Sequence, residues 1–400
     1  MDNIKTMRDI DLFDKRILMR VDFNVPLDKK QNITNDKRIK AVIPTIEYLL
    51  KNKCRLILCS HLGRPNGNID LKLSLKPIAA DLAMKIKRPV IFLNDCNGEK
   101  VKEAVLLMKT GSIILLENLR FHPGEEQNDM DFSRELAKLA DIYINDAFGA
   151  SHRYHASISK VPNLMPIKVA GYLLEKEIHY LGQKTDTPQR PYVVILGGAK
   201  VSDKIKIINS FIEKADVIII GGAMAYTFQR AMGRAIGNSP WEPDKIDIAK
   251  NTLEKAQKKG IKLLLPTDTI ITDKLDFKEK KIGKYKITSD NIPDGWEGID
   301  IGPKSVNIFK EEIVKAKTIL WNGPMGIFEI NACNKGTFAV AKAISMNRNA
   351  TSIIGGGDSV KAIDQSGYSD SVSFVSTGGG AALEFLEGKE MPGLSALDKK

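Results

Sequence analysis

The chain has 400 residues, of which 43% are hydrophobic and 27% charged, with a formal net charge of +11. That length favours two domains over a single core, and the composition is that of a water-soluble globular protein. No apolar run reaches about eighteen residues, so no membrane span is expected, and no aromatic-interleaved basic stripe directs the positive charge to nucleic acid.

The opening residues, MDNIKTMRDIDLFDKR, mix charges and lack an apolar stretch, so no signal peptide is read there and the expected compartment is the cytoplasm. The first strand is RILMRVDF (16–23). Past it, RVDFNVP sets Asp22 and Asn24 at alternate positions, which share a face of an extended segment and could read hydroxyls; a polar strand end closed by Pro26 is the plainer alternative. In ITNDKRIKAVIPTIEYLL, Asn35 or Asp36 can cap a helix with Arg38 in its first turn. A cation there opposes the helix dipole, which hints at a role, although a surface arginine is the plainer reading of this signal alone.

Three further strands follow, RLILCSH (55–61), SIILLEN (112–118) and DIYINDAF (141–148), the last preceded by the amphipathic DFSRELAKLADI (131–142). Each runs into a loop with an arginine: SHLGRP carries His61 and Arg64, LENLRFHPGEE carries Arg120, and DAFGASHRYHAS carries His152, Arg153 and His155. Loops after parallel strands project to one side of the sheet, so the arginines cluster. Clustered arginines repel unless an anion joins them, and a phosphate-or-carboxylate pocket is the expected result.

LLEKEIHYLGQ (173–183) reads as one helix, and TDTPQRP (185–191) opens a new strand series, which puts the domain boundary at about 173. The second series is YVVILGG (192–198), DVIIIGG (216–222), IKLLLPTD (261–268), TILWNG (318–323), TSIIGGGD (351–358) and SFVSTGGG (373–380), with PDKIDIAKNTLEKAQKKG (243–260) as a helix ended by Lys-Lys-Gly. The lysines of KLDFKEKKIGKYK (274–286) read as a solvated surface on helical faces. Short continuous apolar runs alternating with helices predict two doubly wound, parallel-sheet α/β domains of Rossmann-like type. The halves differ: ten of fourteen arginines lie in residues 1–170, and twenty-five of thirty-one glycines lie after them. Arginine grips anions with a side-chain fork, whereas glycine brings backbone N–H groups to them; two anionic ligands, one per half, follow.

In GGAKVSDK, Lys200 and Lys204 would share one face of a helix, which suits a polyanion. GGAMAY, WNGPMGIFE, GGGDS and STGGGA are further glycine turns, although such turns alone often mean only tight strand-to-helix connections. Asp358 shifts the weighting, since a carboxylate among N–H donors suits a magnesium-nucleotide, and Glu329 is placed to accept from a ribose hydroxyl. There is no GxxxxGK[ST] and no dinucleotide fingerprint, which leaves a nicotinamide-dependent dehydrogenase without its motif. The cysteines Cys54, Cys59, Cys96 and Cys333 form no CxxC or zinc-like pairing and read as free thiols.

Together RVDFNVP, SHLGRP, LENLRF, DAFGASHRYHAS, GGAKVSDK, GWEGIDIGP, WNGPMGIFE, GGGDS and STGGGAALEFLEGKEMPG closely resemble the phosphoglycerate kinase family, over essentially the whole chain. The resemblance implies a cytoplasmic, monomeric, hinge-closing enzyme of glycolysis, binding no nucleic acid or membrane. It would move a phosphoryl group between 1,3-bisphosphoglycerate and ADP, giving 3-phosphoglycerate and ATP, with Mg2+ accompanying the nucleotide. Residues 1–173 would form the phosphoglycerate domain, 174–388 the nucleotide domain, and a tail of about 389–400 would pack back on the first.

Carried over, Asp22, Asn24, Arg38, His61, Leu62, Gly63, Arg64, Arg120, His152 and Arg153 would hold the phosphoglycerate. Arg38 would reach the transferring group, with Lys200, Lys204, Gly357 and Gly380 completing the catalytic set. Lys204, Gly298, Asn322, Pro324, Glu329, Gly356, Gly357, Asp358 and Ser359 would bind the nucleotide, Asp358 also meeting the metal. The chain departs from the family near Cys333, where an aromatic is usual, and near Ala382, where a serine is usual. Both acceptors, a carboxylate and a diphosphate, are ionised at neutral pH, so no general base is required. The histidines then read as hydrogen-bond donors or orienters rather than acids.

Overall fold

The computed structural model describes residues 3–400. They form two compact units: one runs to His179 and takes back Gly388–Lys400, and the other is Tyr180–Glu387. In the first unit the strands are β1 (Arg16–Val21), β2 (Arg55–Cys59), β3 (Ile91–Phe92), β4 (Ile113–Leu115), β5 (Ile142–Asp146) and β6 (Lys168–Ala170). They form one parallel sheet in the order β3-β4-β2-β1-β5-β6. In the second unit β7 (Tyr192–Leu196), β8 (Val217–Ile220) and β9 (Lys262–Leu264) lead to β10 (Thr269–Thr272), β11 (Leu275–Asp276), β12 (Lys281–Ile282), β13 (Tyr285–Thr288) and β14 (Glu297–Ile301). The chain then returns to β15 (Thr318–Asn322), β16 (Thr351–Ile354) and β17 (Phe374–Val375). The parallel sheet there has the order β17-β16-β15-β7-β8-β9.

The central strands are apolar without alternation because helices cover both sheet faces. Ile17, Leu18 and Met19 in β1, and Val193, Val194 and Ile195 in β7, are all fully buried. In each sheet the strand order reverses beside the central strand, β1 in the first and β7 in the second. That reversal opens a crevice past the strands' carboxyl ends, the place where such sheets bind ligands. None of the helices among the described residues is long and apolar enough to cross a membrane, and the four cysteines are buried and free.

Several expectations need correction. LLEKEIHYLGQ is not one regular helix: α-helix Tyr172–Ile178 gives way to a π-helical turn over His179–Gln183. The division between units falls after His179, a few residues past the boundary placed at about 173. The first helix belongs to the first unit, with Leu174 fully buried, Tyr172 edge-on to Tyr48 and Glu175 paired with Arg8. Its partner division falls after Glu387, and the tail beyond packs on the first unit. Asn145 donates to the Gly393 carbonyl at 2.9 Å, and Asp398 N–H to that of Lys168 at 2.9 Å. KLDFKEKKIGKYK is not helical: it forms β11, β12 and the start of β13, exposed but extended. The antiparallel β13-β10-β14 sheet and the short edge strands β3 and β6 carry too few residues of one period to be read.

Candidate active site

In the first unit β1 ends at Val21, and Asp22 and Asn24 lie in the coil beyond it. Helix Lys37–Lys51 starts nearby, with Asp36 at its N-cap position making no side-chain capping bond. Arg38 turns away from the helix axis: one Nη1 donates to Asp22 Oδ1 at 3.1 Å and to the Asn24 carbonyl at 3.0 Å. The cation misplaced in a first turn is thus held by the coil that follows β1. Asn24 Oδ1 in turn accepts from Gly63 N–H at 2.9 Å, tying this coil to the loop after β2.

That loop is locked from below. Asn118, at the end of the β4 segment, accepts from Leu62 N–H at 3.2 Å and donates to the Leu62 carbonyl at 2.7 Å. Buried Arg120 donates to the Gly63 carbonyl at 2.8 Å and lies 3.4 Å from Glu126. Asp22, Asn24, Arg38, His61, Leu62, Gly63 and Arg120 are therefore brought together. Arg64 and Arg153 are exposed, and His152 is half-buried.

The electrostatics show a positive site. Burial, then Arg20, Arg120 and Arg38, hold His61 well below its usual value. Burial, then Arg120, Arg20, Arg153 and His152, push His155 down to about 3. Arg153 and His152 are thus near enough to the cluster to be felt. An imidazole that cannot accept a proton among arginines marks a potential that favours anions.

Sequence reasoning passed over Arg20, which sits inside an apolar run and is completely buried. It donates through Nε to Ser157 Oγ at 2.8 Å, through Nη1 to the Val21 carbonyl, and through Nη2 to His61 Nδ1 at 3.1 Å. Ser157 is held by buried Glu125. An arginine in a strand covered on both faces was the signal available.

In the second unit the loop after β7 does not behave as expected. The helix starts only at Ile205, so Lys200 and Lys204 do not share a helical face. Lys200 is exposed, while Lys204 is buried and donates to Asn322 Oδ1 at the end of β15. Burial lowers Lys204 to about 8, against the pull of Asp203, Asp358 and Glu387. Asn322 Nδ2 is buried without a protein partner among the described residues.

After β16, Gly356 takes φ +86° and caps helix Gly357–Gln365. Asp358 stands exposed in its first turn, 3.1 Å from Lys361, and buried Ser359 accepts from Gly323 N–H. Lys204, Asn322, Gly356 and Ser359 thus converge with the helix start carrying Asp358. Gly378 N–H donates to Ser376 Oγ at 3.1 Å, just before helix Gly380–Leu386. Gly298 lies in β14, Pro324 is buried after β15, and Glu329 is exposed.

The glycines divide into two kinds. A Cβ on Gly197 would stand 2.0 Å from the Pro324 carbonyl oxygen, and one on Gly323 would stand 2.1 Å from the Gly197 carbonyl oxygen. Gly298 abuts the Tyr226 hydroxyl, where a Cβ would fall at 2.0 Å. Gly197 and Gly323 demand glycine because backbone packs on backbone, whereas at Gly298 the obstacle is the end of a side chain. Gly357 and Gly380, by contrast, have nothing within 4 Å of an added Cβ. Packing does not explain them, and each stands at a helix start with open space beside it.

Residues 7–389 match the sequence pattern of the family described as Phosphoglycerate kinase. A phosphoglycerate kinase of Koribacter versatilis is 49% identical over 403 residues, covering 99% of each chain. That of Pseudothermotoga lettingae is 51% identical over 397 residues, again covering 99% of each. Among solved structures, phosphoglycerate kinase from Coxiella burnetii superposes with a TM-score of 0.89 at 38% identity, covering 98% of both chains. The Pyrococcus horikoshii enzyme gives 0.83 at 30% identity, with the same coverage.

Proposed function

The chain belongs to the phosphoglycerate kinase family, a kinase of glycolysis with a carboxyl group as acceptor, and from that premise we propose how its residues perform the transfer. The first unit binds 3-phosphoglycerate or 1,3-bisphosphoglycerate, and the second binds ATP or ADP. The observation that carries the first assignment is the pair of suppressed histidines, His61 and His155, among Arg20, Arg38 and Arg120. Such a potential suits a small, multiply charged acid, and the arginine forks suit its carboxylate and phosphate.

The acceptor is already ionised in either direction, so no residue need remove a proton. The work left to the protein is positioning and neutralisation of charge on a loose phosphoryl group in line between donor and acceptor. Arg38 is the side chain we assign to the moving group, because Asp22 and the Asn24 carbonyl aim it from one end only. Lys200 and the N–H groups at Gly357 and Gly380 supply the opposing charge. Lys204 meets the nucleotide phosphates, and Gly298, Pro324 and Glu329 border the nucleoside. Each donor of this sort is worth roughly 3–4 kcal/mol of barrier.

Asp358 fits Mg2+, since this ion is satisfied by one or two carboxylates plus phosphate oxygens, and the helix start beside it is open. When bound with the nucleotide, the ion supplies positive charge to its phosphate oxygens. Closure of the two units on a hinge near the Tyr172–Gln183 segment completes the path and excludes water from the acyl phosphate. We place the enzyme in the cytoplasm as a monomer. A coupled assay of ATP-dependent phosphorylation of 3-phosphoglycerate tests the reading, and absence of turnover with magnesium present would overturn it.

A further inference from the structure

We propose that the buried chain Glu125–Ser157–Arg20 is a positioning device that fixes His61 as its Nε2–H tautomer and so makes it a standing hydrogen-bond donor to the anionic substrate. The proposal rests on the reading that His61 meets the phosphoglycerate. It follows from counting protons. Arginine has donors only, so the 3.1 Å contact between Arg20 Nη2 and His61 Nδ1 requires Nδ1 to accept. A neutral ring that accepts at Nδ1 carries its proton on Nε2. Nε2 has no protein partner among the described residues and is not among their buried orphan atoms, which leaves that edge open.

Arg20 is held in turn so that it cannot rotate away. Its Nη1 is spent on the Val21 carbonyl and its Nε on Ser157 Oγ at 2.8 Å. The Ser157 hydroxyl gives its one proton to Glu125 Oε1 at 2.6 Å, so it can only accept from Arg20. Glu125 Oε2 accepts from Ser157 N–H at 2.9 Å, and Tyr143 donates to the Ser157 carbonyl at 2.8 Å. Arg20, Ser157 and Glu125 are each completely buried, and so is Tyr143. The charged or titratable groups felt at His61 are Arg20, Arg120, Arg38 and His155, with no carboxylate among them. The ring therefore stays neutral through the physiological range, and its role as donor does not vary with pH.

Five histidines make the test tractable. The full chain, labelled with 15N-histidine, is followed by long-range 1H–15N spectra from pH 6 to 8, with His61→Gln used to assign the signal. We expect a pyridine-like Nδ1 and a pyrrole-like Nε2 throughout. A protonated Nδ1, or an imidazolium at pH 7, in the unaltered protein would overturn the proposal whether or not any variant folds. Saturating 3-phosphoglycerate should shift Nε2; a tautomer as expected with no such shift would sink the substrate contact, and with it the donor role.

Arg20→Met removes the lock while Glu125 keeps both of its Ser157 donors. It should raise KM for 3-phosphoglycerate about tenfold at pH 8, the scale of one hydrogen bond, with kcat and the KM for ATP near normal. The His61 ring should then lose its fixed tautomer, seen as averaged Nδ1 and Nε2 signals in the same spectra. A KM that is unchanged, or raised while the Nδ1 and Nε2 signals of His61 stay those of the unaltered protein, would refute the mechanism. Ser157→Ala should do the same more weakly, with Ser157→Thr restoring it.

Discussion

Two alanine substitutions in the glycine turns should have opposite effects. At Gly197 the new methyl carbon would lie 2.0 Å from the Pro324 carbonyl oxygen and 2.7 Å from that of Gly323. Both obstacles are backbone at the end of β15, so no side chain can swing aside, and the turn itself must move by about an ångström. Overpacking of this kind costs about 1–3 kcal/mol, and rigid neighbours put it at the upper end. For a unit of some 200 residues that is a fall in Tm of roughly 6–12 °C. At Gly357 nothing lies within 4 Å of the added carbon. The residue opens helix Gly357–Gln365, where alanine is favoured over glycine by up to about 1 kcal/mol.

Gly357→Ala should therefore melt at or slightly above the unaltered protein, yet bind nucleotide about tenfold more weakly, the scale of one hydrogen bond to phosphate. Calorimetric melting and an ATP titration on both variants decide the matter. Normal ATP affinity in Gly357→Ala would refute the claim that its empty space is the phosphates' place. Normal melting in Gly197→Ala would refute the packing account of the other glycines.

Arg38→Ala should retain fold and nucleotide affinity while kcat drops at least a hundredfold, measured in the coupled assay, because a transition-state donor is lost. Asp358→Ala should weaken magnesium-nucleotide binding much more than 3-phosphoglycerate binding, which paired calorimetric titrations would show. Lys204, lowered to about 8 by burial, is part-deprotonated in the free enzyme at pH 8; phosphate oxygens favour its charged form, so ATP binding there should take up a proton. Titrations in buffers of different ionisation enthalpy read that uptake directly, and ATP affinity should decline above pH 8. Asp146, raised to about 7 by burial, keeps its proton on folding while the unfolded chain loses it, so stability falls as pH rises from about 4 to 7. Asp146→Asn should remove that slope, giving a gain at pH 8 over pH 5 of at most about 3 kcal/mol in urea unfolding.

The parallel cores were legible because burial on both faces leaves an unbroken apolar run, as in YVVIL of β7. The second unit's antiparallel sheet was not, because its strands are short and share no one pattern: TIIT in β10 carries no charge, YKIT in β13 one lysine and EGIDI in β14 two carboxylates. The lysines of 274–286 were seen as solvated, and so they are, but solvation does not say whether a segment is helical or extended. Lys200 and Lys204 show the opposite failure: their spacing suits a helix face, yet the glycines before them hold the chain in turns until Ile205. The offence of Arg38 against the helix dipole was visible, but that signal alone fits a surface arginine better, and its role was read from the family resemblance. Arg20 was hidden because a buried cation looks, in sequence, like one polar interruption of a strand. Only the coordinates show that Ser157, from a loop 137 residues away, meets it.

The uneven use of arginine and glycine follows from what each ligand offers. A three-carbon acid presents a carboxylate and a phosphate at fixed separation, and forked side chains on several loops can measure that separation. Such a site must hold several cations in one place, which depresses any histidine in it and removes it from acid-base work. Burial first, and those cations after it, hold His61 and His155 down in this way. A polyphosphate instead offers a row of oxygens, which N–H groups at helix starts meet without crowding, provided no side chain intervenes. That condition is met at Gly357 and Gly380, while Gly197 and Gly323 let the underlying turns come close enough to support them. On the proposed mechanism, with no proton to move, the side chains need supply nothing more than charge in the right place. The groups assigned to binding fit that account: arginines and suppressed imidazoles in the first unit, a buried lysine and the Asp358 carboxylate in the second.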